Sequence, residues 1–464
     1  MSDEPFDLVI RGGVVVTADD ERRADVGITG SSIAAIAPNL HGSTEIDATG
    51  QFVLPGGVDP HVHLTPAAPP PAPGWRDDFW SGSRAAAAGG ITTIGNMAFP
   101  WPGETLLQAM QRDAAAASRD AVVDVALHPV LTDPDTQPIS DLDTLAELGH
   151  TTLKYFMSFG GFTTAPDRYL AAMRVAAAGG MPTLIHCEDA ALLADALATL
   201  VAAGKTALPH YPASRPTTVE AAATARAIAF AEQTGALAYI VHLSCAAALD
   251  EVRRGRERGV PIWVETRPLY LFLTEERYAE PDGGKYVGQP PLRTASDVAA
   301  LWDALAAGEI QTLATDHAPW FYADKVGPGL DLISTPPGVA DLDVMLPMLW
   351  SHGVTTGRIS RQRFAAVSAT NAAIMMGLYP RKGTIAVGSD ADLVLWNPAE
   401  TRPVRAESFY SNGDFSPYEG WSLTGWPTTT ISRGDIIMRD GKVDAARGRG
   451  QLPRRERVPT SAFV

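Results

Sequence analysis

Residues Val58–His63 read VDPHVH, and they begin a repeating pattern that extends through most of the chain. The run joins strand-forming residues to two histidines spaced two apart, whose side chains therefore lie on one face of an extended strand. Seven further runs rich in β-branched residues follow, separated by alanine-rich stretches typical of helices. They are Thr92–Met97, Val122–Val130, Thr151–Met157, Thr183–His186, Ala238–Ser244, Pro261–Glu265 and Gln311–Asp316.

Eight strand–helix units predict an α/β fold, a (β/α)₈ TIM barrel. An open doubly wound sheet is the alternative, but no glycine-rich phosphate motif follows the first strand. Both chain ends instead contain short strand-like runs, at 6–16, 25–37, 391–396 and 428–443, with Asp440-Gly441 as a hairpin signal. We expect the ends to form one smaller β-sandwich domain. The expected boundaries are 1–54 for the amino-terminal segment of the sandwich, 55–378 for the barrel, 379–443 for the carboxyl-terminal segment of the sandwich and 444–464 for a polar, basic tail.

Composition excludes several classes of protein. Of the 464 residues, 37 are Lys or Arg and 53 are Asp or Glu, giving a net charge of −16 without the basic face that nucleic-acid binding requires. The 45% hydrophobic content supports a large core and argues against disorder. Two cysteines exclude a disulfide scaffold. With no signal-peptide pattern and no apolar run of about 18 residues, we expect a cytoplasmic protein without membrane contact.

Six side chains of metal-binding or catalytic type occur at the predicted carboxyl ends of barrel strands, where TIM barrels place their active sites. Each alone is explained by pocket lining or capping, but their shared location predicts a metal centre. Lys154 is unusual because it interrupts the apolar run TLKYFM. A lysine carbamate would turn it into an anionic bridge between two divalent ions, with Asp316 accepting a proton from activated water. The six are His61, His63, Lys154, His186, His242 and Asp316.

The order HVH, TLKYFM, HCE, VHLS and TDH resembles the amidohydrolase superfamily, specifically its dihydropyrimidinase and hydantoinase branch. The segments KYVGQPPLR at 285–293 and GSDADLVLW at 388–396 agree with this resemblance. It implies hydrolytic ring opening of a cyclic amide or imide by a hydroxide that bridges two Zn²⁺ ions, in a homotetramer or homodimer. In that arrangement His61, His63 and Asp316 bind one ion, His186 and His242 bind the other, and carboxylated Lys154 bridges them. Asp316 then also serves as general base and proton donor.

Three predicted substrate-binding positions depart from that family. The resemblance implies a tyrosine five residues after Lys154, whose hydroxyl supports the oxyanion, but Phe159 occupies this position. Losing that donor would lower the rate by about 10²- to 10³-fold, unless a metal ion or another donor such as Tyr155 takes its role. Gln289 stands where a serine is usual, and Pro337 replaces an asparagine before Gly338, which removes an N–H group.

The strand-end loops are rich in aromatic residues, and the segment Thr65–Trp75 is rich in proline. This composition predicts a substrate with a bulky or aromatic substituent, unless the aromatic side chains only pack loop against loop. The aromatic residues are Trp75, Phe99, Trp101, Phe159, Phe162 and Trp320. Alternatives for the function are an allantoinase or dihydroorotase, a linear amide or carbamate hydrolase, and a non-enzymatic scaffold that shares the barrel.

Overall fold

The computed structural model describes residues 6–65, 74–459 and 463. Most of the proline-rich loop, 66–73, therefore lies outside the described residues, as do 1–5, 460–462 and 464 of the predicted terminal segments. The strands of the two chain ends are β1 Phe6–Arg11, β2 Val14–Val16, β3 Glu21–Arg23, β4 Asp25–Thr29, β5 Ser32–Ala37, β6 Gly42–Asp47, β7 Phe52–Pro55, β16 Leu393–Pro403, β17 Ser422–Ser432, β18 Asp435–Arg439 and β19 Lys442–Val443.

Eight parallel strands form the predicted barrel. They are β8 Gly57–Val62, β9 Ile91–Ala98, β10 Asp124–Leu131, β11 Leu153–Phe156, β12 Thr183–His186, β13 Ala238–Ile240, β14 Ile262–Thr266 and β15 Thr312–Leu313. Each overlaps one of the eight runs predicted from sequence, and each pairs with the next along the chain. A parallel bridge between Val62 and His317 brings the first and last strands together. The TIM-barrel prediction is confirmed.

Helices cover the outside of the barrel and connect its strands. They are α1 Phe79–Ala88, α2 Leu106–Asp120, α3 Asp141–Glu147, α4 Gly160–Thr164, α5 Pro166–Ala178, α6 Ala190–Ala202, α7 Tyr211–Ser214, α8 Thr217–Thr234, α9 Ala246–Glu257, α10 Pro268–Phe272, α11 Ala295–Ala307, α12 Tyr322–Lys325, α13 Met345–Leu349, α14 Arg361–Ala365 and α15 Asn371–Met375. Shorter 3₁₀ turns are Leu208–His210, Glu275–Ala279, Gly283–Tyr286 and Ala406–Ser408, and π-helical turns are Trp350–Val354 and Ala366–Thr370.

Several helices begin where the sequence provides a capping side chain. Asp78 accepts hydrogen bonds from the backbone N–H groups of Trp80 and Ser81 at the start of α1. Thr294 and Asp297 form a reciprocal capping box at the start of α11, and Gly308 caps the end of this helix in the left-handed region. Among the described residues, no helix combines the length and the apolar character needed to cross a membrane.

Both chain ends contribute to the second domain, as predicted. One sheet has the strand order β5-β4-β1-β6, and the other has the order β19-β18-β17-β16-β7-β2-β3. Within the second sheet β7 pairs antiparallel with β16, placing Val53 opposite Leu395. Both residues are buried in a cluster that also contains Ile10 and Ile431. The two ends therefore share one core, and Asp440-Gly441 forms the predicted turn between β18 and β19.

The described segment of the predicted tail packs against the amino-terminal end of the barrel. Arg455 is buried, and its guanidinium donates to the carbonyl of Leu127 at 2.6 Å and to Thr152 Oγ1 at 3.2 Å. Phe463 packs on Trp263 with ring centroids 4.4 Å apart. The end of the chain thus covers the side of the barrel opposite the predicted active site.

Candidate metal centre and substrate pocket

The structure brings the six predicted ligands together at the carboxyl ends of the barrel strands. Three lie within strands, and three lie one to three residues after the end of a strand, where side chains from different strands converge. All six are buried. We refer to them below as the ligand cluster: His61, His63, Lys154, His186, His242 and Asp316.

One half of the ligand cluster centres on Asp316. Its Oδ1 atom lies 2.8 Å from His63 Nε2 and 3.2 Å from His61 Nε2. One potential ligand atom from each of these residues falls within 4.8 Å of the other two. Two imidazole nitrogens and a carboxylate oxygen at this separation suit a borderline divalent cation such as Zn²⁺.

The second half joins the ends of β12 and β13. His186 Nδ1 lies 2.9 Å from His242 Nε2, so two ring nitrogens face each other directly. The backbone of His242 has φ 40° and that of Asp316 has φ 49°, a left-handed region that non-glycine residues rarely occupy. Such strain is often found at functional sites, where surrounding structure holds a side chain in a required direction.

Lys154 lies in the barrel interior with its side chain completely buried. Its Nζ has no hydrogen-bond partner among the described residues. Burial lowers the pKa of the amine to about 8. The side chain therefore does not reach solvent, and its position among imidazoles and a carboxylate suits conversion to an uncharged or anionic form.

Two buried carboxylates orient ligand histidines, and neither was predicted from the sequence. Glu265 Oε1 lies 2.8 Å from His61 Nδ1, and Glu188 Oε2 lies 2.8 Å from His186 Nε2. A carboxylate on the second ring nitrogen fixes the tautomer of a metal-binding imidazole. Their signal was present, because Glu188 belongs to the HCE motif and Glu265 ends a predicted strand.

Protonation in the ligand cluster favours metal binding. Burial lowers the pKa of His61 and His242 well below the usual value, and that of His63 to about 4, so these rings are neutral near pH 7. Burial raises the pKa of Asp316, but Arg267 and the two histidines outweigh this effect and hold it well below its ordinary range. Asp316 is therefore an anion.

A pocket of about 230 Å³ opens above the ligand cluster, and its wall is largely aromatic. Trp75 packs on His63 with ring centroids 4.6 Å apart, and Phe156 stacks on Phe159 at 4.4 Å. We call the lining residues outside the ligand cluster the pocket wall: Trp75, Phe99, Phe156, Phe159, Arg267, Gln289, Ala318, Trp320, Pro337 and Gly338. The four predicted substrate positions, Phe159, Gln289, Pro337 and Gly338, thus all line the pocket.

Two of the six aromatic loop residues pack elsewhere, as the alternative of loop-to-loop packing allows, and Tyr155 does not serve as the replacement donor. Phe162 is buried against Tyr155 and Tyr169, and Trp101 contacts Arg112, so neither lines the pocket. Tyr155 cannot replace the missing tyrosine donor, because its hydroxyl faces Met173 Sδ at 3.1 Å. Lys154 points into the barrel, and the alternation of a β-strand turns its neighbour Tyr155 outward.

Comparison with known proteins agrees with the architecture described above. The model of the amidohydrolase family matches residues 52–437. The chain belongs to the amidohydrolase family. A D-hydantoinase of Rhizobium radiobacter is 37% identical over 97% of this chain and 99% of its own length. A D-phenylhydantoinase of Escherichia coli O9:H4 (strain HS) is 35% identical over 97% of this chain and 98% of its own length.

Solved structures of two relatives superpose closely on this amidohydrolase. The D-hydantoinase (dihydropyrimidinase) from Thermus sp. gives a TM-score of 0.93 at 35% identity, covering 97% of this chain and 99% of the other. The L-hydantoinase (dihydropyrimidinase) from Arthrobacter aurescens gives 0.90 at 30% identity, covering 97% and 100%. Relatives named for opposite enantiomers therefore share one fold.

The loop of this amidohydrolase that contains Pro337 and Gly338 is held by hydrogen bonds within the protein. The Pro337 carbonyl accepts from Trp320 Nε1 at 2.8 Å, and the Gly338 N–H donates to the Val287 carbonyl at 3.0 Å. Buried Lys325 donates to the carbonyls of Val287, Pro336 and Gly338 at 2.7, 2.9 and 2.7 Å. Lys325, which holds the loop through these three hydrogen bonds, was not predicted from the sequence.

Only glycine fits position 338. Gly338 has φ +123°, and a Cβ atom there would lie 2.4 Å from the Ala318 carbonyl oxygen. A larger residue would push this loop away from the end of the barrel. The close approach sets one boundary of the pocket.

Proposed function

We propose that this amidohydrolase is a metal-dependent hydrolase that opens a cyclic amide or imide ring, as the names of its hydantoinase relatives suggest. The observation that carries the proposal is the ligand cluster at the base of an aromatic pocket. Imidazole nitrogens and the Asp316 carboxylate converge within 4.8 Å beside the buried Lys154 amine, which has no hydrogen-bond partner in the part of the chain that the structure describes. This donor set suits metal-assisted hydrolysis.

The proposed cofactors are two divalent ions, Zn²⁺ by donor preference, bridged by carboxylated Lys154. His61, His63 and Asp316 would hold one ion, and His186 and His242 the other. Two features support the assignment: His61 Nε2 and Lys154 Nζ are buried without hydrogen-bond partners among the described residues. Conversion of the lysine to a carbamate would replace a buried cation by an anion between two cations.

Bound there, the ions would lower the pKa of a shared water and polarise the scissile carbonyl. Asp316 Oδ1 faces the two histidines, and Asp316 is the proposed catalytic residue that accepts the water proton and returns it to the leaving nitrogen. Glu265 and Glu188 would keep His61 and His186 in the required tautomers. Phe159 donates no hydrogen bond, so this side chain leaves oxyanion stabilisation to other groups.

The proposed substrate carries a bulky or aromatic substituent. Trp75, Phe99, Phe156 and Phe159 form one connected series of ring contacts that begins on His63. A flat apolar group above the ligand cluster would replace water against these rings, which favours binding. The D-phenylhydantoinase relative is named for such a substrate.

The experiment is a measurement of metal content together with ring-opening rates on dihydrouracil, hydantoin, phenylhydantoin, allantoin, dihydroorotate and one linear amide. We expect two metals per chain and the fastest turnover on phenylhydantoin. Faster turnover of unsubstituted hydantoin would contradict the aromatic substituent. Preference for allantoin, dihydroorotate or the linear amide would favour the corresponding alternative enzyme, and metal-free protein without turnover would favour a scaffold role.

We also propose that the protein is a cytoplasmic homotetramer or homodimer with domain boundaries at 54, 378 and 443. Helix α6 supports self-association, because its sequence AALLADALATLVA is almost entirely apolar and none of its residues is buried. Leu192 and Val201 are 40% and 48% exposed. The buried free thiols of Cys187 and Cys245 suit a reducing compartment. Light scattering should give a multiple of the chain mass, and Leu192→Glu should reduce it.

A further inference from the structure

Asp77 lies two residues after Trp75 of the pocket wall and just before helix α1. Its side chain is 0% exposed, and three donors converge on its carboxylate. His317 Nε2 lies 2.7 Å from Oδ2, the Ser411 hydroxyl donates to the same oxygen at 2.6 Å, and the Asn412 N–H donates to Oδ1 at 2.7 Å. A buried carboxylate with three such partners is fixed firmly in direction.

His317 connects Asp77 to the ligand cluster. It directly follows Asp316, and its carbonyl accepts the N–H of His63 at 2.8 Å. Its Nδ1 accepts the N–H of Asp341 at 3.1 Å, so the ring proton lies on Nε2 and is donated to Asp77. The imidazole is thus held at both nitrogens, and its backbone adjoins two of the predicted metal ligands.

The other two donors to Asp77 come from the sandwich domain. Ser411 and Asn412 belong to the connection between strands β16 and β17, and Ser411 lies 334 residues after Asp77 in the chain. Asn412 also donates from Nδ2 to the carbonyl of Arg76 at 2.9 Å. The described residues that line the pocket all belong to the barrel domain. The sandwich therefore contacts the pocket wall only through the segment that carries Trp75 and Asp77.

Other contacts of this segment are closer to solvent. Arg76 Nη2 pairs with Asp324 at 2.7 Å, but the two side chains are 34% and 29% exposed, and such ion pairs contribute little. The Arg76 N–H donates to the carbonyl of Pro319 at 3.0 Å. Asp77 thus supplies the buried side-chain anchor of the segment that places Trp75.

We propose that Asp77 is a positioning residue that holds the Trp75 indole against His63 and thereby sets the affinity for an aromatic ring substituent. The substituent rests on the proposed function, whereas the anchoring rests on the hydrogen bonds of Asp77. An amide in place of the carboxylate would direct an NH₂ group at one of the partners, all of which donate. The segment would then shift, and an aromatic contact that contributes about 2- to 10-fold in affinity would weaken.

The first test is amide hydrogen exchange measured by mass spectrometry, which needs no substrate. In Asp77→Asn, exchange within residues 75–78 should accelerate at least about tenfold, while peptides from the barrel strands keep their rates. Asp343→Asn is the matched control, because buried Asp343 accepts the Tyr410 N–H at 2.9 Å from the same connection and an amide keeps that acceptor. Unchanged exchange in Asp77→Asn, or equal acceleration throughout the chain, would overturn the anchoring.

The second test is calorimetric binding of the lactam pyrrolidinone and of its phenyl-substituted form, whose unactivated amides hydrolyse slowly enough for a titration. Trp75→Ala and Asp77→Asn should each lower the preference for the phenyl form by about 2- to 10-fold, and Asp343→Asn should leave it unchanged. The double variant should lose no more than Trp75→Ala alone, because both changes remove one contact. Losses that multiply would show that Asp77 acts independently of Trp75 and would overturn the proposal.

Exchange, binding and turnover separate this proposal from the proposed function. If Asp77→Asn accelerates exchange and lowers the phenyl preference but the wild type opens no ring of the substrate panel, Asp77 is a positioning residue and the hydrolase function is wrong. If the wild type opens rings but Asp77→Asn changes neither quantity, the function holds and the assignment of Asp77 is wrong. Faster exchange with an unchanged phenyl preference would also overturn the assignment, because Asp77 would then anchor the segment without affecting affinity.

Discussion

His61, His186 and Asp316 in the ligand cluster lie at the ends of barrel strands, whereas Lys325 and Gly338 of the pocket region lie on longer connections. Strand geometry alone directs the first group toward one point. The second group depends on contacts between distant segments, such as the bond from Lys325 to the Val287 carbonyl. We therefore expect the barrel strands to hold the reaction chemistry and the longer connections to set substrate choice, so that one can change without the other. Substitutions in the ligand cluster should stop the reaction on every substrate, and substitutions around the wall should alter preference.

Lys154→Ala should have the largest effect. Removing the proposed bridge should lower bound metal and reduce turnover by more than about 10⁴-fold on every ring, because the ligand cluster acts as a unit. Metal analysis and ring-opening rates on one preparation provide the measurement. Full metal content with full activity would show that Lys154 is not a bridge.

Asp316→Asn should come next. The amide keeps the shape of the side chain but cannot accept the proton, so turnover should fall by about 10²- to 10⁴-fold on all substrates. The KM values should change less than kcat. A loss confined to one ring type would contradict a shared proton-transfer role and would place Asp316 with the residues that choose the substrate.

Glu265→Gln should have a smaller effect, acting through His61. The Oε1 atom of Glu265 lies 2.8 Å from His61 Nδ1. Metal affinity should fall about 10- to 100-fold, as measured by competition with a chelator. Glu309→Gln, at an exposed ion pair with Arg253, is the control and should have no effect.

Lys325→Met tests the loop instead of the ligand cluster. Three carbonyls would lose their common donor, so we expect KM for phenylhydantoin to rise about tenfold with a smaller change in kcat. The melting temperature should fall by a few degrees. The exposed Lys205→Met is the control. A uniform loss of kcat on all substrates would contradict a division between chemistry and substrate choice.

Most of the fold could be predicted from sequence because its signals are local. Each barrel strand is a short apolar run, and the Asp440-Gly441 turn depends on two adjacent residues. The packing of Arg455 beneath the barrel was not predictable in this way, because its acceptors, Leu127 and Thr152, lie about 300 residues earlier. A basic residue near a chain end ordinarily indicates solvent exposure.

The candidate site, too, contains residues that could be predicted from local sequence signals and residues that could not. The six members of the ligand cluster were predicted because strand ends and residue type sufficed. The outward direction of Tyr155 was also available from strand alternation, once Lys154 was placed inside the barrel. Asp77 and Lys325 were not predicted, because their importance depends on the partners that they contact. Such partners are a property of the folded chain.

The pairing of β7 with β16 has a consequence for biosynthesis. Pro55 and its partner Leu393 are separated by the whole barrel, so on the ribosome β7 is made tens of seconds before β16 exists. During this interval the edge of β7 that later pairs with β16 has no partner and is open to pairing with other nascent chains. Slow synthesis or shortage of chaperones should therefore affect the sandwich before the barrel, and aggregates formed in the cell should involve the amino-terminal strands.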